Sequence, residues 1–292
     1  MPREIRLLLA ASGTGGHLFP GIAVAEAALN VAVAGGKPAA ITNCLNFGNP
    51  YDPEIFYQFS ECVLGMGEAC KALDTPVTGG NVSFYNEDPE RAVYPTPVIG
   101  MVGVVPDVEQ VTTTWFKNEG DVIYIIGETL DEIGGSEYLK DFHGLVTGKI
   151  PKIDLALHKK HIEFILALIS EGLAKSAQDI SDGGLAVALA ECCFKKRIGA
   201  EINLEPSARK DSLLFGETQS RAIISVSLEN GARIEELAAK AGVTVSMIGI
   251  TGGGNLKINE WIDISIEKLN KIYEEAIPKL MEQVTTVERV AK

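Results

Sequence analysis

From Val122 onward, short apolar runs alternate with longer segments of helical spacing, and this alternation restricts the second half of the chain to a layered α/β or α+β fold. The expected strands are 122–126, 198–204, 221–228, 243–250 and 255–258, and the expected helices are 154–172, 183–196, 230–241 and 265–282. Gly252-Gly253-Gly254 reads as a turn between the last two strands. The first half follows the same logic less regularly. Ile5–Ala11 reads as a buried strand, Ser12–His17 as a tight glycine loop, and Ile22 to about Ala34 as an alanine-rich helix. Pro38–Thr42 is a short strand by the same reading. The clearest helix is Glu54–Leu73, where Ile55, Phe59, Cys62, Met66, Cys70 and Leu73 recur at spacings of three and four and form one apolar stripe. Tyr94–Val105 reads as strand, with Pro95 and Pro97 confined to its start. Val108–Glu119 is a connection, so a boundary is expected near residue 118, dividing a first domain (1–118) from a second (119–292).

Charge narrows the partners. With 26 basic and 39 acidic residues the net charge is −13, which repels nucleic acid and anionic membrane alike. No apolar run approaches the roughly 20 residues of a membrane span. Ile5–Ala11 runs into glycines rather than a cleavage site, so no signal peptide is visible and a cytoplasmic location is expected. The five cysteines form no C-x-x-C pair and are odd in number, which suits a reducing compartment. Cys62 and Cys70 fall within the apolar helical pattern and read as buried thiols.

The motifs are sharper than the composition. In Thr75–Glu87 an apolar start gives way to Gly79-Gly80 and then to Asn81, Ser83, Asn86 and Glu87. Paired glycines let a backbone approach a phosphate, and an amide oxygen one residue later suits a hard cation such as Mg²⁺. Ser83 shares the Asn81 face if the chain is extended there. A plain turn between two strands gives the same pattern. Gln178–Gly184 leads into a helix, with Asp182 as candidate N-cap and an anion or simple capping as alternative uses of the helix start. In Leu214–Arg221, Glu217 and Gln219 are placed to hydrogen-bond a ligand and Arg221 to pair with a carboxylate or phosphate; a solvated turn is the other reading. His158 and His161 flank Lys159 and Lys160 with no carboxylate or thiol nearby, so a solvated helix face is expected rather than a metal site. Gly13–Pro20 is a second phosphate-cradle candidate, although it lacks the full G-x-G-x-x-G spacing.

These segments carry a resemblance. Ala23–Ala27, Ala40–Pro50 (AITNCLNFGNP), Thr75–Glu87, Tyr94–Gly103, Asp179–Gly184 and Phe215–Arg221 resemble, in order, the C-terminal half of phosphoribosylformylglycinamidine synthase in its short form, whose glutaminase is a separate protein. The likeness extends from about Ala23 to about Met281. It implies a two-domain α/β architecture like that of aminoimidazole ribonucleotide synthetase, with the first domain truncated. It also implies an ATP-dependent carbon–nitrogen ligase of purine biosynthesis: ATP phosphorylates the amide oxygen of formylglycinamide ribonucleotide, and glutamine-derived ammonia displaces the phosphate. Carried over by motif, Asn43 (where relatives carry Asp) and Gly80 contact ATP, Asn81 binds Mg²⁺ and Ser83 contacts the ribonucleotide. The segments holding Asp179, Asp182, Glu217, Gln219 and Arg221 resemble a substrate-binding pattern of the family's first half, here in the half whose own site is regarded as non-catalytic. The family's catalytic histidines, its ATP-binding lysine and most of its metal-binding carboxylates belong to a first half that this sequence does not contain. The chain alone is therefore expected not to turn over. It is expected to need the N-terminal synthetase half, the glutaminase subunit and a small accessory subunit, or to form a homodimer through an unpaired sheet edge. A folded scaffold without a site is the non-enzymatic alternative.

Arg3–Ile22 resembles something else, the start of the N-acetylglucosaminyltransferase of peptidoglycan lipid II synthesis. That likeness places Thr14, Gly15 and Gly16 against a UDP-sugar, though the rest of such an enzyme is missing and sugar transfer is not expected. The two resemblances meet within Ala23–Ala27, which suits both, so a chimera joined there is expected. Residues 283–292 match neither family.

Overall fold

The computed structural model describes the backbone of residues 5–12 and 19–290, and the side chains of residues 20–282. The first half is a four-stranded sheet with two helices. In chain order these are β1 (Ile5–Ser12), α1 (Phe19–Val33), β2 (Lys37–Asn46), α2 (Pro53–Leu73), β3 (Val77–Ser83) and β4 (Thr96–Val105). The sheet runs β1-β4-β2-β3, with β4 antiparallel to both neighbours and β3 parallel to β2. β1 pairs along its whole length with β4 and occupies the edge beyond it.

Alternation along β4 sorts the faces. Pro97, Ile99, Met101, Gly103 and Val105 are buried while their neighbours are half-buried. α1 lies on the buried face and is apolar nearly all round, as a helix covered on every side should be. Gly103 permits the close approach, since a Cβ there would come within 2.1 Å of Val31 Cγ1. α2 begins at Asp52, whose side chain accepts from the Glu54 N–H at 2.8 Å, and ends at Asp74 in the left-handed region. Its stripe of Cys62, Met66, Ala69, Cys70 and Leu73 is buried as expected.

The second half comprises β5 (Val122–Ile126), α3 (Leu155–Ser170), β6 (Ala174–Asp179), α4 (Gly184–Phe194), β7 (Ala200–Ile202), α5 (Lys210–Phe215), β8 (Ala222–Val226), α6 (Gly231–Ala241), β9 (Val245–Thr251), β10 (Asn255–Ile258), β11 (Ile262–Ser265) and α7 (Ile266–Val290). Its seven strands run β11-β10-β7-β9-β5-β8-β6. The unbroken apolar run of β5 reflects cover on both faces. Val122, Tyr124 and Ile126 join the core under α3 and α6, while Ile123 and Ile125 join the core under α4, α5 and α7. The former core continues into the first half, because α1 packs Val24, Ala28 and Leu29 into the cluster that holds Ile162 and Ile165 of α3. α1 is thus the shared wall between the halves.

Several segments differ from expectation. β2 runs to Asn46 rather than Thr42, and Gly79-Gly80 is not a turn but the middle of β3. The parallel ladder from Thr42–Gly79 to Asn46–Ser83 supplies the backbone hydrogen bonds that keep both segments extended. β6, α5 and β11 were not expected; they are short or polar. β6 reads AKSAQD and sits at the sheet edge, paired only with β8, where Ser176 and Ser225 hydroxyls bond at 2.6 Å. Gly252–Gly254 does connect β9 to β10, but β7 lies between them. The loop clasps the residue before β7: the Gly252 N–H bonds Gly199 O, and the Gly199 N–H bonds Gly253 O, each at 2.8 Å.

Candidate functional site

The ladder between β2 and β3 brings the motif residues together. Asn43 pairs with Gly80, Cys44 with Asn81, and Asn46 with Ser83. The pleat then divides them. Asn81 and Ser83 stand on the outer face with Cys44 and Asn46, whereas Asn43 stands in the row of Ile99, on the face of Ile41 and Leu45. The Cys44 thiol donates to Asn81 Oδ1 at 3.2 Å, and Asn46 Nδ2 donates to Thr96 O at 3.3 Å and to Cys44 Sγ at 3.7 Å.

The glycine pair is used unequally. At Gly80, with φ +153°, a Cβ would meet Asn43 Oδ1 at 2.2 Å and Asn43 O at 2.4 Å, so the missing side chain makes room for Asn43. At Gly79 the nearest atom is Thr42 Oγ1 at 3.9 Å, and here the backbone lies open. The polar residues that follow are local ties. Asn86 Nδ2 donates to Phe47 O at 3.2 Å and Ser83 O at 2.8 Å, and Glu87 Oε2 accepts from the Asn49 N–H at 2.8 Å. β3 is exposed almost throughout, Val77 to 50% and Val82 to 45%. Among the described residues no cluster of three or more His, Cys, Asp or Glu side chains is placed to hold a metal.

The second group of candidates meets at a cavity of about 300 Å³ between α1 and the second half, lined by Glu26, Glu137, Lys140, Asp182, Glu217 and Gln219 among others. Glu217 Oε1 accepts from the Gly183 and Glu137 N–H groups, each at 2.9 Å. Gln219 Nε2 reaches back to Glu217 O at 3.1 Å and across to Glu26 Oε1 at 3.3 Å. Burial and the neighbouring Asp182 charge raise the Glu26 carboxyl to about 7, Gln219's hydrogen bond opposing and Asp179 and Glu217 adding to the rise. Burial likewise raises Asp179, Asp182 and Glu217 above the usual carboxylate range. With its amide turned toward the carboxylate, Asn30 of α1 donates to both Asp179 oxygens, at 2.8 and 3.0 Å. Glu26 and Asn30 were missed in the sequence. Their signal is that they stand four apart in an otherwise apolar helix, on one face.

Three expectations are corrected here. Asp182 is not the helix cap: the cap position is Gly183, at φ 79°, and its N–H is occupied by Glu217. Arg221 is not part of a solvated turn. It is fully buried, its Nε donating to Thr218 O at 2.9 Å, its Nη1 to Thr129 Oγ1 at 3.0 Å and its Nη2 to Gly216 O at 2.6 Å. The guanidinium thereby ties the 216–221 turn into its loop. His158 and His161 are likewise buried rather than solvated. The Nε2–H of His158 donates to Ala25 O at 2.9 Å while its Nδ1 accepts from Ser220 Oγ at 2.7 Å, and His161 Nδ1–H donates to Ser220 O at 2.7 Å. The carbonyl acceptors fix both tautomers. Burial lowers His158 to about 4. Both histidines fall on the α3 stripe with Ile162 and Ile165, which was the readable sign of burial. Thr14, Gly15 and Gly16 lie outside the described residues.

Comparison with known proteins gives this build a family. The description "AIR synthase related protein, N-terminal domain" matches residues 14–105, and "AIR synthase related protein, C-terminal domain" matches residues 118–259. A relative from Moorella thermoacetica, named phosphoribosylformylglycinamidine synthase subunit PurL, is 50% identical over 264 residues; the match covers 89% of this chain and 36% of that protein. The chain therefore spans about a third of the length of the curated relatives it matches. Among solved structures, Thermotoga maritima PurL complexed with FGAR superposes with a TM-score of 0.76 at 21% identity, covering 91% of this chain and 46% of that one. A chain of the HypE–HypF complex superposes with a TM-score of 0.68 at 16% identity, covering 89% of each. These last two likenesses concern the fold. With both domains matched in order over the two sheets described above, the chain belongs to the AIR synthase related family.

Proposed function

We propose that this chain is part of the synthetase subunit of phosphoribosylformylglycinamidine synthase and forms one wall of its Mg-ATP site. The observation that carries the reading is the β2–β3 register, which sets Asn43 beside Gly80 and places Asn81 and Ser83 together on the outer face. Relatives named as this subunit, one of them 50% identical, support it, as does a PurL structure described as complexed with ATP. In this reading Asn43 and Gly80 contact ATP, Asn81 gives one oxygen to Mg²⁺, and Ser83 meets the ribonucleotide.

The residues fit that role in part. One amide oxygen with no carboxylate cluster around it holds Mg²⁺ only when phosphate oxygens and another half complete the shell. The reaction would be phosphorylation of the formylglycinamide oxygen by ATP and displacement of that phosphate by ammonia. Glutamine-dependent turnover requires the N-terminal synthetase half, the glutaminase and the small accessory subunit; with free ammonia the two synthetase halves suffice. Among the described residues the outer edge of β3 pairs with no strand, and Val77 and Val82 are exposed, which supports pairing with that half or with a second copy of the chain. A cytoplasmic setting goes with this chemistry; among the described residues no helix is long and apolar enough to cross a membrane. We place the domain boundary near residue 118.

Titration calorimetry with Mg-ATP tests the wall. Weak binding that is weakened further in Asn81→Ala is expected; no binding, or binding indifferent to that substitution, sinks the reading. For residues 3–22 we propose a separate origin, on their resemblance to the glycosyltransferase start alone. The N-terminal domain match begins at residue 14, ahead of the supposed join at Ala23–Ala27, so the DNA across codons 18–30 decides. A continuous synthase reading frame upstream contradicts the chimera.

A further inference from the structure

Asn81 has a side chain on an exposed strand, where a carboxamide ordinarily samples several rotamers. Here its oxygen is engaged. The Cys44 thiol, directly across the ladder, donates to Asn81 Oδ1 at 3.2 Å. The sulfur in turn accepts from Asn46 Nδ2 at 3.7 Å, and the second proton of that amide goes to Thr96 O at 3.3 Å on β4. Each proton in this series has one destination: two on the Asn46 amide, one on the thiol, none on the Asn81 oxygen. The direction of the Asn81 amide is thereby set from the backbone of β4. A carbonyl oxygen has two lone pairs, so one remains for a cation while the other accepts from the thiol. The other four cysteines, Cys62 and Cys70 on α2 and Cys192 and Cys193 on α4, are buried.

We propose that Cys44 and Asn46 are positioning residues that hold the Asn81 carboxamide oxygen in place on the outer face of the sheet for a divalent cation. This rests on the Mg-ATP reading of the same face. Cys44 touches neither cation nor nucleotide; it acts through Asn81. Removing the thiol frees the amide to rotate, so the cost falls on the cation and not on the nucleotide by itself.

The test is titration calorimetry of the full chain with ATP, with and without Mg²⁺, on Cys44→Ala, Cys44→Ser, Asn81→Ala and the Cys44→Ala/Asn81→Ala pair. Losing one hydrogen bond predicts a roughly three- to tenfold weakening in Cys44→Ala when Mg²⁺ is present. No change is expected without Mg²⁺, and partial recovery is expected in Cys44→Ser, whose hydroxyl still donates. In the Asn81→Ala background the Cys44→Ala substitution should have no further effect. Equal weakening with and without Mg²⁺, or an effect that persists without Asn81, overturns the proposal by showing a merely structural role. The infrared S–H stretch of Cys44 gives a readout free of ligand. It should move to higher frequency in Asn81→Ala, and an unmoved band overturns the proposal even where nucleotide binds. A wild-type chain that ignores Mg-ATP while the S–H band still shifts marks failure of the nucleotide reading, and the cation-positioning role falls with it.

Discussion

At the scale of single residues, adjacent glycines in β3 have opposite sensitivities. Gly80→Ala must place a Cβ against the Asn43 carbonyl at a φ of +153°, so a loss of about 1–3 kcal/mol in urea unfolding is expected. Gly79→Ala meets nothing closer than 3.9 Å and should leave stability within about 0.5 kcal/mol. If the open backbone at Gly79 receives a phosphate, the same substitution weakens Mg-ATP binding in calorimetry without touching stability; unchanged affinity removes Gly79 from the site. Arg221→Met is the opposite case, costing about 3 kcal/mol because Gly216 O, Thr218 O and Thr129 Oγ1 lose their buried donor. The identities of Asn43, Gly80, Asn81 and Ser83 were legible in the sequence as a motif. Their division between two sheet faces was not, because a glycine pair reads as a turn until a partner strand holds it extended. The role of Arg221 was hidden for a related reason. Nothing in a polar run of sequence says that its cation turns inward to bind two carbonyls of its own loop and the Thr129 hydroxyl beyond β5.

Among the elements, α1 and α3 meet through His158, and acid should separate them. The folded pKa of His158 is about 4 against an ordinary 6.5, so its neutral form contributes stability that is whole above pH 6.5 and is lost as pH falls toward 4. The full loss across that window is about 3 kcal/mol. Glu26 has the reverse sign: its carboxyl, raised to about 7 from 4.5, contributes stability below pH 4.5 that is lost as pH rises through 7. Thermal unfolding across pH 4–8 distinguishes the two. Glu26→Gln should raise Tm at pH 8 and change little at pH 5, while His158→Asn should flatten the acid limb; a Glu26→Gln chain with unchanged Tm at pH 8 contradicts the burial of that charge. The long helices and β5 were readable because apolar spacing alone determines them. β6, α5 and β11 were not, since an edge strand of AKSAQD and two elements of six and four residues carry too few apolar positions to show a period.

The whole molecule is bound together by α1, which is buried in the first sheet and in the α3 core at once. The two halves should therefore unfold in one transition. Ile165→Ala, at a fully buried position of the shared core, should lower protection from hydrogen exchange in β4 and β8 together by about 2–4 kcal/mol; loss confined to β8 would show the halves to be independent. Among the described residues β3 is one edge of the first sheet, and its Asn81 and Ser83 face outward. On the function proposed above, this face is one wall of a site completed by another chain. The most direct measurement is ammonia-dependent ADP formation from ATP and formylglycinamide ribonucleotide, with this chain and a separately produced N-terminal synthetase half assayed apart and mixed. Activity should appear only on mixing and fall at least about tenfold when Asn81→Ala replaces the wild-type chain. A mixture no more active than its parts, or one indifferent to Asn81→Ala, would contradict the account.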